Sequence, residues 1–352
     1  MVKYSNLFDY IRNLYALPTY FGLFNNLPLR YFLELTYRCN LKCPYCYVGD
    51  ERNKDELSTE QWKNIIKQLP RYSLATLVGG EPLLRLDFGE IFNAVTQHLS
   101  GKVTVVSNGY LLNDDIIKLF DNKKLLLLSV SLDGFGVTHD KNRNKDCLFD
   151  KVVSNLDNVL KLNKRPKIDI KTIVLENNLD DLPKLYKYCT DKGFEFFSLS
   201  FLRSNNLKQN SLLRDSLTGE FFEPQKHKLY FDLEHFKEVY KELESISKNS
   251  KCEIRFAPKF DYSENIVEKI EEFYSKEKDF KALYKPCTFP FSDTFITPEG
   301  LIYPCLSVKM GDLKENSLKE IFSMSCYKDF RAKIKKCGYL PCCDMCCELC
   351  VK

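Results

Sequence analysis

From Tyr31 onward the chain alternates two hydrophobic periodicities, and this limits the folds open to it more than any other feature. Short apolar runs at 31–36, 74–79, 102–107, 125–132, 167–175 and 194–202 are rich in Leu, Val, Ile and Phe and too short for helices. Such runs read as buried strands of a parallel sheet. Between them, residues near 59–69, 87–99, 113–121, 150–163 and 179–192 carry apolar positions at helical spacing. Ser58-Thr-Glu-Gln61 opens the first of these as a capping box, with Gln61 three residues after the cap. Six strand–helix units predict an α/β fold, a partial (β/α)6 TIM-type barrel rather than an eight-unit one. Chemistry in such barrels gathers at the C-terminal ends of the strands.

At 352 residues there is room for one large domain and a small second one. Residues 1–30 read as an N-terminal helical extension, with the apolar spacing of 5–25 favouring a helix packed on the main domain over one lying on a membrane surface. The barrel core spans 31–203, and residues 204–285 hold a polar loop at 204–230 over the barrel mouth and bridging helices near 232–248 and 263–280. From Pro286 the texture turns rich in cysteine and turn residues, which sets apart 286–352 as a cysteine-rich domain.

The net charge of +4 is spread without a dense basic block, so nucleic acid is not an expected partner. No secretory signal opens the chain and no apolar run is long enough for a membrane helix, so the expected setting is the cytoplasm, without a membrane partner. In that reducing compartment fifteen cysteines point to metal binding rather than a disulfide framework.

Three of them, Cys39, Cys43 and Cys46, share one loop just past the first strand. Three thiolates can hold a metal centre while leaving it one ligand short, whereas a structural zinc site needs four protein ligands. The next cysteine is Cys147 and the nearest histidine His98, neither close in sequence. An iron–sulfur cluster held through three irons explains the deficit, because its fourth iron is free for another ligand. Downstream, Gly79-Gly80-Glu81-Pro82 ends the second strand, Ser107-Asn108-Gly109 the third, and Ser131-Leu-Asp133-Gly134 the fourth. Each alone is ordinary turn chemistry. Two glycines also let backbone approach a ligand, and the Glu81 carboxylate suits an ammonium.

The C-x3-C-x2-C spacing, with aromatic Tyr45 before its last cysteine and the GGEP turn after the next strand, resembles the radical S-adenosylmethionine (radical SAM) superfamily. The resemblance implies that the cysteines hold a [4Fe–4S] cluster whose free iron chelates SAM. Reductive cleavage then yields a 5′-deoxyadenosyl radical that takes a hydrogen atom from the substrate. It assigns cofactor contacts to Tyr45, Gly79, Gly80, Glu81, Pro82, Ser107, Asn108, Ser131, Asp133 and Arg143, with Leu199 beside the adenine. His139 reads as a turn residue. An electron donor such as flavodoxin or ferredoxin is implied, as is an anaerobic or well-protected host.

Cys287, twelve residues, Gly300, four residues and Cys305 are similar to the opening of SPASM and twitch auxiliary-cluster domains, with 295–305 reading as a β-hairpin that presents Cys305. Cys337, Cys342, Cys343, Cys346, Cys347 and Cys350 follow, enough thiols for one or two auxiliary [4Fe–4S] clusters. Their spacing departs from the full SPASM pattern, and C-x2-C pairs serve zinc equally well. Cys147, Cys189, Cys252 and Cys326 read as ordinary thiols. Where sulfatase-maturing relatives place an aspartate base after the hairpin cysteine, this chain has Leu306, leaving Asp293 or a nearby tyrosine as substitutes. No catalytic acid or base is otherwise assigned.

The expected substrate is a peptide, oxidised, crosslinked or epimerised, although residues 1–30 are too few for a leader-peptide-binding domain. A small-molecule sugar or alcohol dehydrogenase is the alternative, and a zinc-stapled binding protein the non-enzymatic one.

Overall fold

The computed structural model describes residues 16, 27–46, 48, 55–202, 229–260, 265–275, 279–305, 308–340, 343, 346 and 348–352. The expected helix at 5–25, most of the 204–230 loop, Leu306, Cys342 and Cys347 lie outside them.

All six expected strands form: β1 (Arg30–Glu34), β2 (Leu74–Val78), β3 (Val103–Ser107), β4 (Leu125–Ser131), β5 (Lys167–Val174) and β6 (Phe196–Phe201). Each pairs with the next in parallel. Helices α1 (Thr59–Gln68), α2 (Phe88–His98), α3 (Asp114–Phe120), α4 (Val137–Arg143), α5 (Leu148–Val159) and α6 (Leu182–Asp191) intervene. The Ser58 box caps α1, Gln61 N donating to Ser58 Oγ at 3.3 Å and Ser58 N to Gln61 Oε1 at 2.8 Å. Along each strand alternate side chains turn toward the helices, where Leu33, Leu77, Val105, Leu128, Ile170 and Phe197 are wholly buried. Each such burial contributes about 1.5–3 kcal/mol. Phe197 stacks on Tyr186 of α6 with ring centroids 5.4 Å apart. That contact fixes which parity faces the helices and which the concave side of the sheet.

The sheet is wider than six strands. After α7 (Leu233–Ser247), strand β7 (Glu253–Ala257) adds in parallel to β6. Its Glu-Ile-Arg-Phe-Ala sequence lacks the continuous apolar run that marks the others. A two-residue β8 (Lys259–Phe260) and α8 (Ile266–Tyr274) follow. At the other edge β9 (Asp293–Ile296) pairs in parallel with β1, and β10 (Leu301–Tyr303) and β11 (Gly311–Asp312) continue antiparallel. The ten strands run β11-β10-β9-β1-β2-β3-β4-β5-β6-β7, so the sheet passes unbroken across Pro286. Phe32 of β1 stacks on Phe295 of β9 at 4.5 Å, and Arg30 Nε donates to Asp293 Oδ1 at 2.5 Å. The chain closes with α9 (Leu318–Ser323), α10 (Ser325–Cys337) and β12 (Cys350–Val351), which pairs with β8.

Helix α4 corrects one expectation. Val137-Thr-His-Asp-Lys-Asn-Arg143 has no apolar periodicity, yet it is helical and His139 is fully buried rather than sitting in a turn. Asn144, in the left-handed region at φ 53°, ends it. Among the described residues no helix is long and apolar enough to cross a membrane.

Candidate active site

The loop bearing Cys39, Cys43 and Cys46 leaves the C-terminal end of β1 on a braced stem. Thr36 Oγ1 and Tyr37 N both donate to Glu56 Oε1 at 2.7 Å. Buried Arg85 donates to Leu35 O at 2.9 Å and Leu57 O at 3.1 Å, and pairs with Asp87 through two bonds. Nothing in the sequence alone marks Glu56 or Arg85; the one signal is that Arg85 lies three residues beyond Pro82.

The GGEP turn packs backbone to backbone against this stem. Gly80 N donates to Thr36 O at 2.7 Å and Glu81 N to Arg38 O at 2.8 Å. A Cβ on Gly79, whose φ is +144°, would fall 2.4 Å from Thr36 O, and one on Gly80 would fall 2.4 Å from Arg38 O. Only glycine allows that approach. Pro82 is buried and starts a single 3-10 turn, Pro82–Leu84.

Glu81 is fully buried, and its carboxylate faces the protein's own donors. Oε1 accepts from Leu83 N at 3.0 Å and Ser107 Oγ at 2.9 Å, and Oε2 from Asn108 N at 2.7 Å. Burial pushes this carboxyl up to about 7. The turns after β2 and β3 thus supply three donors to the Glu81 carboxylate. Asn108 continues the linkage, its Nδ2 donating to Asn40 Oδ1 at 2.8 Å and reaching Cys39 Sγ at 3.8 Å.

Asp133 organises the opposite wall. Its Oδ2 accepts from Tyr45 Oη at 2.5 Å and from Arg143 Nε, and its Oδ1 from Ile173 N at 2.7 Å. Its carbonyl accepts from Asn142 Nδ2 at 2.7 Å and Asn178 Nδ2 at 3.1 Å, and its own N–H donates to His139 Nδ1 at 2.9 Å. Burial opposes the Arg143 charge, but Asp133 outweighs it and holds the guanidinium protonated. Burial drives the Tyr45 phenol up, with Asp133 adding to the rise. Burial also pushes His139 down to about 4, so the ring is neutral.

The three thiols are half-buried. Burial pushes Cys39 up to about 11 and raises Cys43 also, with neighbouring cysteines adding to both shifts. N–H groups point at the sulfurs: Leu41 N lies 3.4 Å from Cys39 Sγ, and Arg143 Nη1 3.9 Å from Cys43 Sγ. Thiols that repel one another as thiolates, with amide and guanidinium donors around them, fit a multinuclear cationic centre that relieves that repulsion.

A radical SAM superfamily profile matches residues 33–189, and an iron–sulfur cluster-binding domain profile, SPASM, matches residues 287–347. The chain carries a radical SAM domain followed by a SPASM domain. Over 316 residues it is 27% identical to the sporulation killing factor maturation protein SkfB of Bacillus subtilis (strain 168), covering 88% of this chain and 68% of that protein. It is equally 27% identical over 308 residues to the AdoMet-dependent heme synthase of Methanosarcina barkeri, covering 84% and 82%. Among solved structures, Streptococcus suis SuiB bound to precursor peptide SuiA shares the fold with a TM-score of 0.64 at 16% identity, over 97% of this chain and 76% of that one. As a radical SAM protein with a SPASM domain, the chain takes SAM and [4Fe–4S] clusters as cofactors.

In this radical SAM barrel Ser131 ends β4 on the concave side, half-exposed and in register with Lys171. Leu199 shares the parity of Phe197, is wholly buried, and turns its side chain to the helices, so its backbone edges the concave face. Asp293 is corrected as a substitute base. It lies in register with Arg30, at the strand end opposite the cysteine loop, and its second oxygen accepts from Ser292 Oγ at 2.5 Å.

Cys287 and Cys305 lie toward that opposite end. Because β10 runs antiparallel to β9, Cys305 leaves Tyr303 toward the N-terminal ends of the barrel strands. Cys287 packs against Phe289, Phe295 and Tyr303, and its N–H donates to Gly338 O at 2.8 Å, next to exposed Cys337. Cys343 Sγ accepts from Leu340 N at 3.3 Å, and Cys346 N donates to Cys343 O at 3.0 Å. Glu348 lies 4.0 Å from Arg30, which brings this tail beneath β1. Cys350 sits on β12, its carbonyl accepting from Lys285 N at 2.9 Å. Cys189 and Cys252 are buried in the barrel's wall, while Cys147 is exposed.

Proposed function

We propose that this radical SAM protein is a peptide-modifying enzyme. On this reading Cys39, Cys43 and Cys46 hold the SAM-binding cluster, and the backbone of Gly79, Gly80 and Glu81 lies along the amino end of SAM. Arg143 takes the SAM carboxylate, Ser131 a ribose hydroxyl, and the Leu199 backbone the adenine edge. Bound there, the cluster and SAM supply a hydrogen-atom acceptor strong enough to activate an unreactive C–H bond. The chain's own residues position and shield it: Asp133 ties Tyr45 of the cysteine loop and Arg143 of α4 to one carboxylate. Glu81 ties the GGEP turn to Ser107 and Asn108. Cys287, Cys305, Cys337, Cys343, Cys346 and Cys350, with Cys342 and Cys347, hold one or two auxiliary clusters, and an external flavodoxin or ferredoxin delivers electrons.

The observation that favours a peptide is breadth of likeness: SkfB, a maturation protein, matches 88% of this chain, and the fold of peptide-bound SuiB spans 97% of it. The similarity to the heme synthase over 84% of the chain supports the second reading, a small-molecule substrate. Deuterium transfer separates the two. Reconstituted enzyme incubated with deuterated short peptides encoded beside its gene is expected to form deuterated 5′-deoxyadenosine. Label arriving only from a small-molecule metabolite would replace the peptide reading by the second.

A further inference from the structure

One row of side chains crosses the concave face of strands β4 to β7: Ser131 is in register with Lys171, Lys171 with Ser198, and Ser198 with Arg255. Parallel register places all four on the same side of the sheet, the side away from Phe197 and its helix partner Tyr186. The face is open near the strand ends, where Ser131, Lys171, Ile173 and Ser200 are all partly exposed. Their helix-facing neighbours Val130, Ile170, Thr172 and Leu199 are wholly buried.

Charge on this face is unevenly matched. Asp169, one row below, is buried and accepts from Ser129 Oγ at 2.9 Å and Ser198 Oγ at 2.6 Å, one bond on each oxygen. Arg255 lies over the Phe196 ring at 3.2 Å and faces Glu253 at 3.8 Å. Lys171 has neither a carboxylate nor a hydrogen-bond acceptor among the described residues, although it is flanked by two serine hydroxyls in register. A lysine at the end of a barrel strand can carry its ammonium out to water along its stem. On this inward wall, where Ser198 Oγ already donates to Asp169, the Lys171 ammonium instead offers an oxyanion a charged donor.

We propose that Lys171 is a specificity-determining residue that takes an oxyanion of the substrate, a peptide carboxylate, inside the barrel beside the SAM site. The proposal rests on the peptide reading for the identity of its ligand, while the site itself rests on the row described. Substrates with an acidic side chain or a free C-terminal carboxylate near the reacting residue would be preferred over neutral ones.

Titration calorimetry of the anaerobic holoprotein, with and without SAM, tests this using glutarate as the carboxylate probe and inorganic phosphate as the alternative oxyanion. Saturable glutarate binding is expected in the wild type. It should weaken about tenfold or more in Lys171→Met and return in Lys171→Arg, with SAM affinity unchanged throughout. Stronger binding of phosphate than glutarate would overturn the carboxylate assignment. Glutarate binding absent from the wild type, or equal in Lys171→Met, would overturn the site. A fall in SAM affinity matching the fall in glutarate affinity would make Lys171 a cofactor residue. Because glutarate is also titrated without SAM, failure of the wild type to bind SAM counts against the functional reading alone.

Discussion

Asp133 receives three hydrogen bonds on its carboxylate and two on its carbonyl, and donates its own amide to His139. Removing it leaves the Arg143 guanidinium without its partner in a buried site and releases Tyr45 from β4. Breaking a buried ion pair on one side costs about 3–5 kcal/mol. Asp133→Ala is therefore expected to lose stability of that order in anaerobic guanidinium titration, against about 1–3 kcal/mol for Tyr45→Phe, which removes one hydrogen bond to a charged group. A smaller loss for Asp133→Ala than for Tyr45→Phe would contradict its central place. His139 supplies the pH dependence. Its folded value is held near 4 against an ordinary 6.5, so the unfolded chain binds the proton more tightly. Its contribution is complete above about pH 6.5 and is lost as pH falls toward 4, a difference of about 2 kcal/mol between pH 7 and pH 5. His139→Asn, whose side-chain carbonyl can take the Asp133 amide proton, is expected to flatten that interval of the stability profile. An unchanged slope would show that the ring titrates freely.

At the scale of elements, the site is a set of turns after parallel strands, held together by close backbone contact. Gly80 is the sharpest test, because an added Cβ meets the carbonyls of Arg38 and Tyr37 at 2.4 and 2.6 Å, and backbone cannot yield as a side-chain tip can. Gly80→Ala is expected to push the GGEP turn off the cysteine-loop stem and weaken SAM binding about tenfold or more, read by calorimetry. Wild-type affinity would mean the stem gives way easily. Local pattern made β1 to β6 and the Ser58 cap legible in the sequence, because burial on both faces demands apolar runs and the cap has its own residue code. Helix α4 was hidden, since its stability comes from burial of His139 and the Asp133 contacts rather than from an apolar stripe. Leu199 was recognisable as a strand residue, but which way it faces depends on Phe197 stacking on Tyr186, a tertiary fact. Glu81 was visible as part of a motif, whereas its bonds from Ser107 and Asn108 needed the turns after β2 and β3 assembled in space.

Across the whole molecule, one sheet carries two cysteine constellations at opposite ends. The Cys39, Cys43 and Cys46 loop caps the C-terminal strand ends, and Cys287 and Cys305 lie toward the N-terminal ends of β1 and β9, joined through β9 and the Phe32–Phe295 stack. The two ends are therefore separable by mutation. The most direct measurement is iron content together with 5′-deoxyadenosine formation in wild type and in the triple variant Cys39→Ala, Cys43→Ala, Cys46→Ala, after anaerobic reconstitution and reduction with SAM present. The wild type should cleave SAM; the triple variant should lose all cleavage and one cluster's worth of iron while keeping the iron of the tail. Undiminished iron and continued SAM cleavage in the triple variant would contradict the account.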